Sequence, residues 1–158
     1  MKKFVSICLA MLCMMTALSC YAETETEIES IMPIEGLHWG DSKEQAEAAI
    51  GVKLTNPNES EGMTLYMTES LVNGNIIMCG FAAEKLVGVI MYNRVAFGTD
   101  ASEQATAMYE ELQAKYGPAV ATDTSYVWSI PNGESVGMTM MTLSGMDFIV
   151  LMYSAPNS

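Results

Sequence analysis

The fold is decided by a stretch near the end of the chain, residues 135–153, which reads SVGMTMMTLSGMDFIVLMY. Two mostly apolar runs, 135–143 and 146–153, lie on either side of the dipeptide Ser144-Gly145. Short apolar runs that flank a small polar residue and a glycine are typical of antiparallel strands joined by a tight turn. The stretch therefore predicts a β-hairpin.

The residues before this hairpin predict a helix and one further strand. Asp100 can cap a helix that Gly117-Pro118 ends, and residues 125–130 predict a strand that turns into the hairpin at Asn132-Gly133. The apolar residues of this helix recur at helical spacing: Ala105, Met108, Tyr109, Leu112 and Tyr116.

An earlier part of the chain has the same order of elements. Asp41 or Ser42 can cap a short helix that runs to Ile50 and stops at Gly51. A polar loop follows at 56–62. Three strands are then predicted, over 63–69, 75–81 and 86–92.

Both halves, about 34–93 and 100–154, also share an Asn-Gly turn after the first predicted strand, at Asn73-Gly74 and Asn132-Gly133. The common order predicts a duplicated helix-plus-three-strand unit. We expect an α+β fold in a single domain, residues 31–158, in which two α-β-β-β repeats form one antiparallel six-stranded sheet with two helices packed on one face.

The first 22 residues predict an export signal. Two lysines precede an uncharged, mostly apolar run, 4–18, and small residues prevail at 19–22. The run is shorter than the roughly 20 residues that a membrane-spanning helix needs. Residues 23–30, ETETEIES, are acidic and low in complexity, and they predict a flexible tether.

Two processing routes are open for the exported chain. Cleavage after Ala22 would release a protein that begins at Glu23. Alternatively, residues 17–20, Ala-Leu-Ser-Cys, resemble a lipoprotein box in which Cys20 is lipidated. Release is favoured because the leucine stands one place later than in such boxes. We expect a secreted or extracytoplasmic protein, held at a membrane only if Cys20 is lipidated.

The charge and the cysteines exclude several classes of protein. The 158 residues include 7 basic and 19 acidic ones, for a net charge of -12, so nucleic acid is not an expected partner. Three of the four cysteines lie in the signal, and Cys79 falls in an apolar strand, where a buried and unreactive thiol is predicted. Neither a disulfide framework nor a zinc cluster is predicted, and no cofactor is expected.

The layout of two helix-and-β-meander units in an exported acidic chain resembles the β-lactamase-inhibitor-like fold. This group includes small outer-membrane assembly lipoproteins of the BamE type. The resemblance covers about residues 34–154 and includes two short motifs at helix ends, Trp39-Gly40-x-Ser42 and Tyr116-Gly117-Pro118. It implies a binding role and indicates no particular partner.

Residues 37–42 bring the types needed for hydrolysis close together in sequence, since they include His38, Asp41 and Ser42. A nucleophile needs its base within hydrogen-bonding distance in a fixed geometry, and neighbouring residues of an extended segment point in different directions. Asp41 and Ser42 are better explained as helix caps. We therefore predict that the protein is not an enzyme, and an exported hydrolase is the third and least supported class.

Methionine is unusually frequent, with eleven of fifteen residues after the signal. Met138 and Met140 share one face of a strand, and thioethers bind Cu(I). Together with His38 and Trp39, this set is similar to the sites of small exported copper carriers. The other methionines fall at core positions, so copper binding is the alternative function and no metal ligand is assigned.

The two faces of the predicted sheet are both apolar. We assign to the helix-covered face Met146, Phe148, Val150, Met152, Val87, Val89 and Met91. The opposite face would then carry Leu86, Ile90, Ile149 and Leu151 and five aromatic residues: Tyr66, Tyr92, Tyr126, Trp128 and Tyr153. An uncovered aromatic face predicts recognition of a protein or peptide, or of a second copy as a homodimer. The alternative is that the N-terminal segment, or a curl of the sheet, covers this face.

Overall fold

The computed structural model of the protein describes residues 30–60 and 62–156. The predicted signal at 1–22, Cys20 and most of the predicted tether lie outside the described residues. The described helices are α1 (Lys43–Ile50) and α2 (Ala101–Tyr116). The described strands are β1 (Leu54–Ser60), β2 (Met63–Thr68), β3 (Ile76–Ala82), β4 (Lys85–Arg94), β5 (Val120–Ala121), β6 (Ser125–Ser129), β7 (Ser135–Leu143) and β8 (Met146–Ser154).

All eight strands form one antiparallel sheet in the order β1-β2-β3-β4-β8-β7-β6-β5. The α+β class with two helices and one antiparallel sheet is thereby confirmed among the described residues. The predicted number of six strands is wrong, because the sheet has eight. β4 and β8 pair at the centre and join the two halves.

The two additional strands are the edges of the sheet. β1 contains the segment that was predicted as a polar loop, with Asn56 at a φ of 53° and a register shift between Thr55 and Asn58. Pro57 has no N–H to donate, which is tolerated in an edge strand because one side of that strand has no partner. β5, at the other edge, has only two residues. Short or proline-containing edges lack the apolar alternation on which strand prediction depends.

Local capping interactions fix both helices where the sequence predicts them. The Ser42 side chain accepts from the backbone N–H of Gln45, and the Gln45 side chain accepts from the Ser42 N–H. Gly51 ends α1 at a φ of 76°, in the left-handed region that favours glycine. The Asp100 side chain accepts from the N–H of Ser102 at the start of α2.

Cross-strand register defines the two faces of the sheet. Val89 on β4 lies opposite Cys79 on β3 and Tyr153 on β8, and Tyr153 lies opposite Val136 on β7. These residues belong to one buried cluster. The buried apolar residues of both helices are in the same cluster: Ala46, Ile50, Ala105 and Leu112. We call this side of the sheet the helix-covered face and the opposite side the open face.

The predicted assignment of β8 to the two faces is inverted. Ile149, Leu151 and Tyr153 lie on the helix-covered face with Val89. The four residues that were assigned there lie on the open face: Met146, Phe148, Val150 and Met152. Both sets of alternate residues in β8 are apolar and largely buried, so the periodicity of the sequence does not distinguish them.

A β-bulge in β4 accounts for a second correction. Gly88 lies opposite Gly80, and Leu86 lies opposite Phe81, so Val87 is an additional residue without a partner of its own. The bulge places Leu86 in the core and Val87 beside a cavity on the open face, the reverse of their predicted positions.

The segment that precedes α1 is tied to the β6–β7 turn through Glu134. The buried carboxylate of Glu134 accepts hydrogen bonds from Asn132, Ser30, the backbone N–H of Ile31 and the indole N–H of Trp39. Burial raises the pKa of Glu134, but these hydrogen bonds outweigh it and hold the pKa below its usual value. Ser30, the last residue of the predicted tether, is thus in contact with the folded domain.

Candidate functional site

Two of the five aromatic residues predicted to form a binding surface belong to the interior. Trp128 is 0% exposed, and its indole N–H donates to the carbonyl of Gly117 at 3.0 Å. Tyr153 is 8% exposed, and burial, followed by the nearby Tyr116 and Glu111, raises the pKa of its hydroxyl to about 12. The predicted placement of these two side chains on an uncovered face is wrong.

Tyr66 and Tyr126 also lie on the helix-covered face, at its margins. The ring of Tyr66 meets that of Phe81 edge-on at a centroid distance of 5.7 Å, and the Lys43 ammonium lies 5.2 Å from the Tyr66 centroid. Tyr126 is 43% exposed and packs against Tyr109 of α2 at a centroid distance of 4.7 Å. These rings extend the core rather than form a surface on the open face.

Tyr92 is the one member of the predicted set that the register places on the open face. It lies opposite Ile76 on β3 and Val150 on β8. Its ring meets that of Phe148 edge-on at a centroid distance of 6.4 Å, a favoured geometry for two aromatic rings.

The open face is rich in methionine and aliphatic residues instead of aromatic ones. Six of the eleven methionines that follow the predicted signal have open-face register: Met63, Met67, Met78, Met141, Met146 and Met152. Leu65 and Ile90 lie among them and are half-buried. Unbranched thioethers adapt their shape to a contacting surface. This composition suits a surface that packs against another apolar molecule.

Two glycines of the open face leave the backbone beneath neighbouring methionines without side chains. A Cβ at Gly80 would lie 2.7 Å from the Met63 sulfur, and a Cβ at Gly137 would lie 3.1 Å from the Met152 methyl carbon. The two methionines therefore lie over backbone that carries no side chain. A cavity of about 510 Å³ adjoins them, and apolar residues make most of its lining: Met63, Leu65, Ala82, Val87, Ile90, Met152 and Pro156.

The structure explains residues 38–42 as helix-capping chemistry. The Asp41 carboxylate accepts from the backbone N–H of His38 at 2.8 Å, and Ser42 caps α1. The His38 side chain is 76% exposed, and its ring nitrogen lies 3.8 Å from Asp41. The Asp41 carboxylate and the Ser42 hydroxyl are thus both engaged with backbone N–H groups at the start of the helix.

The residues of the copper alternative are spread over two sites. Met138 is buried under α2 and Met140 is 45% exposed, both on the helix-covered face of β7. Trp39 donates to Glu134, which lies four residues before Met138. Four residues of extended chain span about 13 Å. Met138 and Met140 both line a cleft beside α2, and the lining of that cleft includes neither His38 nor Trp39.

A second cleft, of about 410 Å³, lies between α2 and the end of the sheet near β5, and it includes Tyr126 in its wall. Hydroxyl groups line it, but several are used within the protein. Thr122 pairs with Ser125 at 2.8 Å, and Thr139 donates to the Thr124 carbonyl at 2.7 Å. Hydroxyl groups that already have partners contribute little to binding a ligand. The open face is the better candidate, because its apolar side chains would be stabilised by burial against another molecule.

The single cysteine of the described residues, Cys79, is buried, and burial raises the pKa of its thiol to about 12. Residues 30–60 and 62–156 contain no group of three histidine, cysteine or carboxylate side chains that could hold a metal ion. Within the same ranges, neither helix combines the length and the apolar character that crossing a membrane requires.

Comparisons of this chain with known protein families, with curated proteins and with solved structures give no match.

Hydrophobic alternation in the sequence did not predict the open-face methionines of β2 and β3. One signal was present in the sequence. Gly80 alternates with Met78 on the same strand, β3, and Gly137 lies opposite Met152 on the neighbouring strand. A glycine provides no side chain to fill the space beneath a helix. The large residues Trp128 and Tyr153 are the ones that fill it.

Proposed function

We propose that this protein is an exported, non-enzymatic binding module that recognises a protein or peptide through the open face of its sheet. The aromatic surface expected from the sequence is replaced in this proposal by a surface of methionine and aliphatic residues, with the half-buried Tyr92 as its member from the predicted aromatic set. One observation carries the proposal: both helices pack on one side of the sheet, and the other side has an apolar composition.

An apolar face of this kind is unusual on a chain with a net charge of -12. The chain has many carboxylates elsewhere, and carboxylates on this face would make it hydrophilic without disturbing the fold. Contiguous apolar surface on a soluble protein commonly marks a site of interaction. Methionine favours contact with partners of variable shape, because its flexible side chain can repack.

Affinity selection provides the test. A displayed library of peptides of 20 residues is panned on the exported protein and on two variants. The first variant is Met78→Gln with Met152→Gln, which removes apolar character from the centre of the open face while nearly preserving side-chain length. Enriched peptides should bind this variant at least tenfold more weakly, since burying one such side chain stabilises a contact by about 1–2 kcal/mol.

The matched control is Met140→Gln, the same substitution at an exposed methionine of the helix-covered face. It should leave the affinity of the selected peptides unchanged. Circular dichroism should give both variants the wild-type spectrum and a cooperative thermal transition. Peptides that bind the double variant as tightly as the wild type, and lose affinity with Met140→Gln, would contradict the proposal.

We further infer that the two halves of the chain derive from one duplicated unit, which supports a symmetric sheet. Each described helix is followed by four strands, and the two sets meet at the β4–β8 pair. The resemblance to the β-lactamase-inhibitor-like fold and to lipoproteins of the BamE type remains a prediction based on layout.

A further inference from the structure

The open face carries positive charge at both ends of its central strand. The register places Lys85 opposite Ala82 and Arg94 opposite Phe148, and both of these partners have open-face register. Lys85 and Arg94 are the first and last residues of β4, and both are exposed. They are nine positions apart along the strand, which corresponds to about 30 Å.

The strands place their negative charge on the other side. Among the residues of the eight described strands, the carboxylates are Glu59 and Asp147. Glu59 lies opposite Thr64, and Asp147 lies opposite Thr142, from which it accepts a hydrogen bond at 2.6 Å. Both pairs have the register of the helix-covered face. The described carboxylates next to a strand along the chain, Glu69, Glu84 and Glu134, lie in the turns that follow or precede the strands.

The other described lysines are already engaged. The ammonium groups of Lys43 and Lys53 contact Glu47 at 2.6 and 2.8 Å, and Lys115 lies 5.1 Å from the ring centroid of Tyr116. Neither Lys85 nor Arg94 forms an ion pair with another of the described residues. An acidic protein thus presents one apolar face that has an unpaired cation at each end.

We propose that the occupant of this face is an amphipathic helix of about 20 residues, supplied by a partner protein, whose apolar side lies along β4 and which carries carboxylates near both ends. The inference rests on the proposed function and specifies its partner. A helix of 20 residues is about 30 Å long, which matches the separation of the two cations.

A helix suits this face better than an extended peptide. The backbone of β4 is paired with β3 from Lys85 to Tyr92, apart from the bulge, and with β8 from Gly88 to Arg94. The open face therefore offers mainly side chains to a partner. An extended peptide on an apolar surface would leave its own backbone groups without partners, whereas a helix pairs them internally.

Charge argues against a second copy of this chain as the occupant. A symmetric dimer through the open face would bring each surface against an identical one. Two sets of cations would then meet, with no strand carboxylate on either face to pair with them. The carboxylates must therefore come from a different molecule.

Three synthetic helical peptides with one leucine stripe test the inference. They differ only at two positions near each end, which carry glutamate, glutamine or lysine. Binding of each peptide to the exported protein is measured by calorimetry at low and high salt, with Lys85→Gln, Arg94→Gln and the control Lys115→Gln. Vesicles of anionic lipid and sedimentation of the protein alone provide the remaining arms.

We expect the glutamate peptide to bind most tightly and the lysine peptide least tightly. Lys85→Gln and Arg94→Gln should each weaken the glutamate peptide about two- to fivefold, as exposed ion pairs do, and high salt should have a similar effect. Lys115→Gln should have none, and neither substitution on β4 should affect the glutamine peptide.

Equal affinity for all three peptides would overturn the charge inference. The proposed function would still stand if the variant with Met78→Gln and Met152→Gln bound these peptides more weakly than the wild type. If no peptide binds, the helical partner is wrong, and the display selection decides the proposed function separately. Binding to vesicles alone, or a dimer that dissociates in the double methionine variant, would identify a different occupant and likewise overturn this inference.

Discussion

Replacing Trp128 by alanine should remove a large part of the free energy of unfolding, because this side chain fills the space beneath α2. Trp128 is fully buried, and its ring contacts those of Tyr109 and Tyr126 at centroid distances of 5.6 and 6.5 Å. A buried aromatic side chain removes roughly 150–250 Å² from water. At about 25 cal/mol per Å², this corresponds to roughly 4–6 kcal/mol.

Two further effects set the expected value for Trp128→Ala. The residual cavity collapses only in part, and aromatic-to-alanine changes in cores cost about 3–5 kcal/mol. The lost hydrogen bond to the Gly117 carbonyl adds about 1 kcal/mol. We therefore expect the free energy of unfolding to fall by about 4–6 kcal/mol. With a urea dependence of about 2 kcal/mol per M, the unfolding midpoint should move down by about 2–3 M.

The assay is equilibrium urea unfolding, followed by circular dichroism, with Tyr92→Ala as the matched aromatic control on the open face. Tyr92 is half-buried and loses mainly its edge-on contact with Phe148, so its replacement should cost about 1–2 kcal/mol. The face assignment would be refuted if Trp128→Ala cost less than about 1 kcal/mol and Tyr92→Ala unfolded the domain.

Three other predictions concern processing, copper and acid. Intact mass of the exported protein should give an N-terminus at Glu23, and a diacylated or triacylated Cys20 would show instead that it is anchored to a membrane. Under anaerobic competition with a chelator, the protein should bind Cu(I) no better than the variant with Met138→Leu and Met140→Leu, so a clear loss of affinity in that variant would favour the copper alternative. Hydrogen bonds from two lysines and a backbone N–H lower the pKa of Glu47 from its ordinary 4.5 to about 2. The ionised carboxylate therefore stabilises the fold above pH 4.5, and this contribution is lost as the pH falls towards 2. Urea unfolding between these pH values should therefore depend less on pH in Glu47→Gln than in the wild type, and identical pH profiles would contradict this linkage.

The helices and the inner hairpins could be predicted because local interactions determine them. The Ser42 cap and the left-handed Gly51 involve residues within a few positions of each other. The turn at Ser144-Gly145, where both residues have positive φ, is determined in the same way. Each signal acts over a short stretch of chain, so a single sequence is enough to detect it.

The faces of the sheet could not be predicted because long-range pairing determines them. In β8, Ile149 and Leu151 are buried beneath the helices, and Phe148 and Val150 on the open face are buried as well. Hydrophobic alternation therefore does not show which of the two sets faces the helices. In β4, the bulge at Val87 changes the alternation by one residue. Four of the five aromatic candidates were therefore assigned to the wrong face, and Tyr92 to the correct one, while the existence of an apolar second face was inferred from the number of helices.

The blunt edges of the sheet restrict how any molecule can associate with this protein. β1 is irregular at Asn56 and contains Pro57, and β5 offers two residues, so neither edge presents a long ladder of free backbone groups to an incoming strand. Strand-by-strand growth into fibres is disfavoured for the same reason, even for a chain with so much exposed methionine. Association through side chains alone can change its specificity by substitution, one residue at a time, without a change in the hydrogen bonding of the sheet.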